Sequence, residues 1–129
     1  MLRSVLYAAA GFVLGLASAA GISAPQVPVV ELGDLPEPYY TVLWENDEIR
    51  VVEHLLEAGD REPMHFHPKM IGYFLETSTV RITELDGTTV EPVLTMGTIG
   101  EAGPWTHEIA NIGDTPLHSL IVEFKTERD

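Results

Sequence analysis

From residue 39 onward, apolar and polar positions alternate in short runs, and no run holds the three-to-four spacing of an amphipathic helix. Thr41–Trp44 and Ile49–Leu56 are the first β-rich runs, with the turn Glu45-Asn46-Asp47-Glu48 between them. Ala58-Gly59-Asp60-Arg61-Glu62-Pro63 predicts a loop. Met64–His67 and Ile71–Leu75 predict strands broken at Pro68. Thr79–Leu85 alternates and is β-branched, and Asp86-Gly87 predicts a two-residue hairpin turn into Thr88–Val93. Gly97 opens another strand. His107–Ala110 is the next, Asn111-Ile112-Gly113-Asp114 a turn, and Leu117–Phe124 the last strand. Many short strands at this spacing predict an all-β sandwich or closed barrel. Closure removes the exposed edges that such strands would otherwise leave.

Alternation also predicts an interior. In Leu117–Phe124, the apolar residues Leu120, Val122 and Phe124 share a face with His118, and Ser119 and Glu123 take the other. In Ile49–Leu56, Val52 and Leu56 share a face with Arg50 and His54. A one-residue slip inverts either assignment.

The first twenty residues follow a different pattern. Arg3 is the only charge before Glu31, and Val5–Ala20 is apolar or small throughout. A basic start, an apolar stretch and Ala17-Ser18-Ala19 have the layout of a secretory signal peptide with its cleavage box. Leu2–Ala20 spans 19 residues, close to the ~20 of a spanning helix, so an uncleaved N-terminal anchor is the alternative. Either reading puts the folded domain outside the cytoplasm, with the periplasm as the expected location. Residues 21–38 carry Pro25, Pro28, Pro36 and Pro38, which predicts an extended linker or edge segment. The domain is expected over residues 39–129.

Length and charge narrow the function. A chain of 129 residues with 45 % hydrophobic content supports one packed domain. A net charge of −13 repels phosphate backbones and anionic membranes, so nucleic acid is not an expected partner and a membrane contact would run only through an uncleaved N-terminal segment. The absence of cysteine removes disulfides and thiolate chemistry. No Ser-His-Asp constellation, phosphate-cradling glycine loop or glycosidase-type carboxylate pair stands out.

The residues that carry chemistry are Met64-His65-Phe66-His67. Positions i and i+2 of a strand face the same side, so both imidazoles can converge on one ion. Imidazole suits iron, zinc, nickel and copper. Two ligands hold a metal poorly, and His107 on a later strand is the natural third. The bland alternative for His-x-His is a pair of surface histidines in a turn.

The surrounding spacing favours the metal. Gly59 and His65-x-His67 give Gly-x5-His-x-His, and His107 with Asn111 gives His-x3-Asn, with Gly97 ten residues before His107. This layout resembles the two motifs of the cupin superfamily over roughly Trp44–Lys125. The runs WENDEIRVVEHLLEAGDREPMHFHP, TELDGTTVEP and HEIANIGDTPLHSLIVEFK resemble the small single-domain cupins sometimes labelled β-alanine degradation proteins. The resemblance implies a double-stranded β-helix, jelly-roll-like barrel and makes His65, His67 and His107 the metal ligands. It implies a divalent transition metal (iron, zinc, nickel or manganese), a small-molecule ligand or substrate, and by analogy a homodimer.

The sequence departs from the family at the fourth ligand. Cupins commonly place a glutamate four or five residues after the second histidine, where this chain has Ile71 and Gly72. Three neutral imidazoles would leave a bound dication its full charge and make it a stronger Lewis acid. The opposite consequence is a pocket that holds no metal. Candidate pocket residues are His54 and His118, either of which could replace the glutamate or support a ligand. Arg50 could hold a carboxylate through its fork, or pair with an acidic neighbour. Tyr73 is a candidate proton donor. The readings left open are a metal-dependent enzyme of dioxygenase, lyase or isomerase type acting on a small polar molecule, a non-catalytic periplasmic binding or sensing module, and a structural dimerising barrel.

Overall fold

The computed structural model describes Val30–Glu31 and residues 39–125. The expected signal peptide, most of the proline-rich segment and residues 126–129 lie outside the described residues.

Eleven strands and no helix make up the described residues: β1 Val30–Glu31, β2 Tyr40–Glu45, β3 Ile49–Leu56, β4 Arg61–His67, β5 Met70–Phe74, β6 Ser78–Glu84, β7 Thr89–Val90, β8 Val93–Leu94, β9 Ile99–Ala102, β10 Trp105–Asn111 and β11 Leu117–Phe124. They form two sheets. One runs β1-β4-β10-β6-β7, with β8 also on β6, and the other runs β2-β3-β11-β5-β9. All pairings are antiparallel except β1 on β4, so Val30–Glu31 adds a parallel edge strand from within the proline-rich segment.

The two sheets face each other across a core of Leu56, Phe74, Val80, Ile82, Leu94, Ala102, Trp105, Ile109 and Leu117, with Tyr40, Val52 and Ile121 as a neighbouring group. In β3 the buried face is Val52, His54 and Leu56, as alternation predicts. In β11 the expected interior is inverted. Leu117, Ser119, Ile121 and Glu123 point inward, while His118, Leu120, Val122 and Phe124 are only partly covered on the other side. The outer face carries three apolar residues and the inner face only Leu117 and Ile121, so apolar content alone selects the wrong side. The choice is made by the charges: Glu123 turns inward because Arg50 and His67 meet it there.

Two local features also differ from expectation. Residues 61–63, predicted as loop, belong to β4. The pairing of β10 with β4 advances two residues from His107 to Ile109 and three from His65 to Glu62, so β4 carries a bulge beside Pro63. Proline is tolerated at such a position because the bulge leaves a backbone group outside the ladder. The bulge also shifts the parity, and Glu62 and His65, three residues apart, both become fully buried. The β6–β7 turn holds three residues rather than two. Gly87 N–H donates to Glu84 O at 2.9 Å, Glu84 N–H donates to Thr88 O at 2.8 Å, and Gly87 has φ of 89° while Asp86 stays at negative φ. This is a type I turn closed by a glycine bulge rather than a primed two-residue turn.

Candidate metal centre

His65 and His67 come from β4 and His107 from β10, where His107 pairs directly with His65. All three are buried. Their Nε2 atoms converge: His65 to His67 is 2.9 Å and His65 to His107 is 3.1 Å. Nitrogens bound to one metal at 2.0–2.1 Å stand about 2.8–3.4 Å apart in octahedral or tetrahedral geometry, so these separations match a shared ion.

The proton inventory supports the same reading. His65 Nδ1 lies 2.8 Å from Pro63 O, which can only accept, so the ring proton is on Nδ1. His67 Nδ1 lies 2.9 Å from Glu123 Oε1, and the other oxygen of that carboxylate accepts from Arg50 Nε and a guanidinium nitrogen at 2.8 and 2.6 Å, so the carboxylate is an acceptor on both sides. The His67 proton is therefore also on Nδ1. In the neutral rings both Nε2 atoms are bare lone pairs, and no hydrogen lies between them. Protonating a ring would supply one, but burial, and next the neighbouring His67, lower the His65 pKa to about 4. Burial, followed by the adjacent histidines, also holds His107 well below the ordinary imidazole range. Converging lone pairs without protons are the donor set of a cation site. His107 Nδ1 is buried without a hydrogen-bond partner, and its ring sits 3.7 Å from the Trp105 ring.

Around this group stand residues that sequence reasoning did not select. The Tyr40 hydroxyl donates to Glu62 Oε2 at 2.6 Å and lies 3.2 Å from His65 Nε2 and 3.5 Å from His67 Nε2. Glu62 Oε1 meets His54 Nε2, and the His54 ring stacks on Tyr40 at 4.5 Å and 6°. Burial alone would raise the Glu62 pKa, but the His54 charge and hydrogen bond, the nearby His65 and the Tyr40 hydroxyl hold it below the usual carboxylate range. Burial, and then the charge of Glu62, push Tyr40 well above the usual phenol range. Glu62 thus keeps a negative charge 3.6 Å from His65 Nε2, which favours a cation there. Glu84, paired across the strands with His107, accepts from Trp105 Nε1 at 3.0 Å. Its pKa is raised, first by burial and then by the charge of Asp86, against the lowering effect of the Trp105 bond.

The other sequence candidates separate cleanly. His54 is buried beside the site and acts through Glu62 and Tyr40. Arg50 is spent on Glu123 rather than on an incoming carboxylate. His118 is on the outer face of β11, 3.0 Å from Glu53, and does not reach the pocket. Tyr73 is also on the outer face, because β5 buries Phe74 and half-covers Met70 and Gly72 on its inner side. Tyr40, Glu62 and Glu123 were missed for identifiable reasons: the first was placed just before a strand, the second in a loop and the third on the wrong face of β11. A proline after Glu62 in a β-rich run was the available sign of a bulge.

A cavity of about 70 Å³ opens beside the histidines. His67, His107 and Tyr40 form its polar end, and Met70, Phe74, Ile82, Leu94 and Ile121 line much of the rest.

Solved structures with the same architecture come from several bacteria. A cupin domain from Bordetella pertussis Tohama I matches 82 % of this chain and 100 % of its own, at 20 % identity and a TM-score of 0.62. A cupin superfamily protein from Desulfitobacterium hafniense DCB-2 matches 82 % of this chain and 85 % of its own, at 16 % identity and a TM-score of 0.51. An RmlC-like cupin from Shewanella frigidimarina matches 70 % and 78 %, at 22 % identity and a TM-score of 0.50. The chain has the cupin fold. No protein-family model and no curated protein matches it. In this chain the three histidines picked out by the sequence form a buried group that could hold a metal, while Ile71 and Gly72, where cupins commonly place a glutamate, offer no donor side chain.

Proposed function

We propose that this cupin is an exported protein that binds one divalent transition metal through His65, His67 and His107 and uses it on a small molecule held in the adjoining cavity. The observation that carries the reading is the pair of fixed Nδ1 protons, which leave the Nε2 lone pairs facing one another. A metal bound there supplies Lewis-acid polarisation of an oxygen-bearing ligand. The chain does the rest. Glu123 and Pro63 hold the two imidazoles in the ligating tautomer, and Glu62 anchors the Tyr40 hydroxyl beside them. Apolar walls exclude bulk water and select a ligand with a small apolar body and one metal-seeking polar end. This narrows the expectation of a small polar molecule to an amphipathic one.

The apolar lining also supports the second reading, a non-catalytic module that binds or senses such a ligand. Export to the periplasm rests on residues 1–20 alone, and a homodimer rests on analogy of fold alone. Elemental analysis of purified protein tests the central step. About one iron, zinc, nickel or manganese per chain is expected, with loss in His65→Ala and His107→Ala. A substrate screen of the loaded protein under oxygen then separates turnover from binding. Wild-type protein that takes up no metal even after reconstitution would overturn the proposal.

A further inference from the structure

A phenol hydroxyl stands beside two of the three converging histidine nitrogens. Tyr40 Oη stands 3.2 and 3.5 Å from the His65 and His67 Nε2 atoms, about the separation those nitrogens keep from each other. The three histidine donor atoms lie within 4.8 Å of one another, and no carboxylate among the described residues joins that group. Glu62 Oε2 stands 3.6 Å from His65 Nε2, further than the Tyr40 oxygen that donates to it, and does not come within reach of all three donor atoms.

We propose that Tyr40 supplies the fourth protein ligand atom to a metal held by His65, His67 and His107, in place of the glutamate absent at Ile71 and Gly72; this rests on the reading of the site as a metal centre. The ring is aimed for this role. Tyr40 opens β2, is buried, pairs across the ladder with His54 and stacks flat on its imidazole. Its hydroxyl enters from the sheet opposite the one that carries the histidines. On coordination the O–H bond breaks and the proton passes along the existing 2.6 Å hydrogen bond to Glu62 Oε2. The oxygen lone pair forms the bond to the metal. The proton remains within the Glu62–His54 pair, so the transfer leaves the charge of the enclosed pocket unchanged. A hard anionic oxygen beside three imidazoles favours iron or copper over a purely nitrogen site.

The test uses cupric or ferric ion, one equivalent added to the metal-free protein, with visible absorption and resonance Raman as readouts. Metal-bound wild type is expected to show a phenolate-to-metal charge-transfer band with enhanced tyrosine ring modes. Tyr40→Phe is expected to keep one metal per chain and lose the band. The Raman signature of the wild type decides the matter even where the variant fails to fold. One bound metal per chain with no such band in the wild type would overturn the Tyr40 assignment and leave the histidine centre standing. Absence of bound metal would overturn both.

Discussion

His67 and Glu123 are joined across the two sheets, the Nδ1–H of a β4 imidazole donating to the Oε1 of a β11 carboxylate at 2.9 Å. The bond fixes which nitrogen of His67 carries the proton and which faces the site. Arg50 holds the same carboxylate through Oε2 at 2.6 Å, so the imidazole, carboxylate and guanidinium form one chain.

Glu123→Gln keeps an acceptor of the same shape but removes the charge. The expected outcome is metal binding weaker by about 10–100-fold, the usual effect of losing the partner of a ligating histidine. Competitive titration with a chelator measures this. Binding equal to wild type would show that Glu123 serves the fold alone.

Buried neutral histidines make the metal-free protein acid-sensitive. In the unfolded chain an imidazole takes up a proton below about pH 6.5, whereas folded His65 resists until about pH 4. Between those values the unfolded state binds more protons, so stability falls as pH falls, by roughly 3 kcal/mol from His65 alone. His107 acts in the same direction. Urea unfolding of chelator-treated protein at pH 7 and pH 4.5 measures the loss. Equal midpoints would contradict the assigned burial of neutral rings.

Asn111 separates fold from site. Its side-chain amide donates to Leu56 O at 2.9 Å and Thr115 O at 2.8 Å, and its oxygen accepts from Gly113 N–H at 3.1 Å. Asn111→Ala strands buried backbone groups and is expected to cost about 2–4 kcal/mol. Metal stoichiometry of the folded variant is expected to be unchanged. Denaturant unfolding beside elemental analysis checks both parts.

The strands and the three histidines were legible in the sequence because each rests on local rules. Ile49–Leu56 and Leu117–Phe124 match β3 and β11 end to end, and His65-x-His67 needs only the two-residue period of a strand. The surroundings of the histidines depend on contacts between distant segments. The bulge at Pro63 turns Glu62 inward against plain alternation. The inner face of β11 is chosen by Arg50 and His67, 73 and 56 residues from Glu123. Tyr40 reaches the site because β2 pairs with β3 in the opposite sheet, which no spacing near residue 40 announces. His118 was placed inside by its parity with Leu120, Val122 and Phe124 and lies outside with them, because the inner face of β11 is the other one; Tyr73, offered by residue type, lies on the outer face of β5.

X-ray absorption of zinc-loaded protein counts the imidazoles on the ion. A nitrogen shell at about 2.0–2.1 Å with the outer-ring scattering of three histidines is expected, reduced by one in His107→Ala. A bound ion surrounded by water and carboxylate oxygens, unchanged by that substitution, would contradict the three-histidine centre.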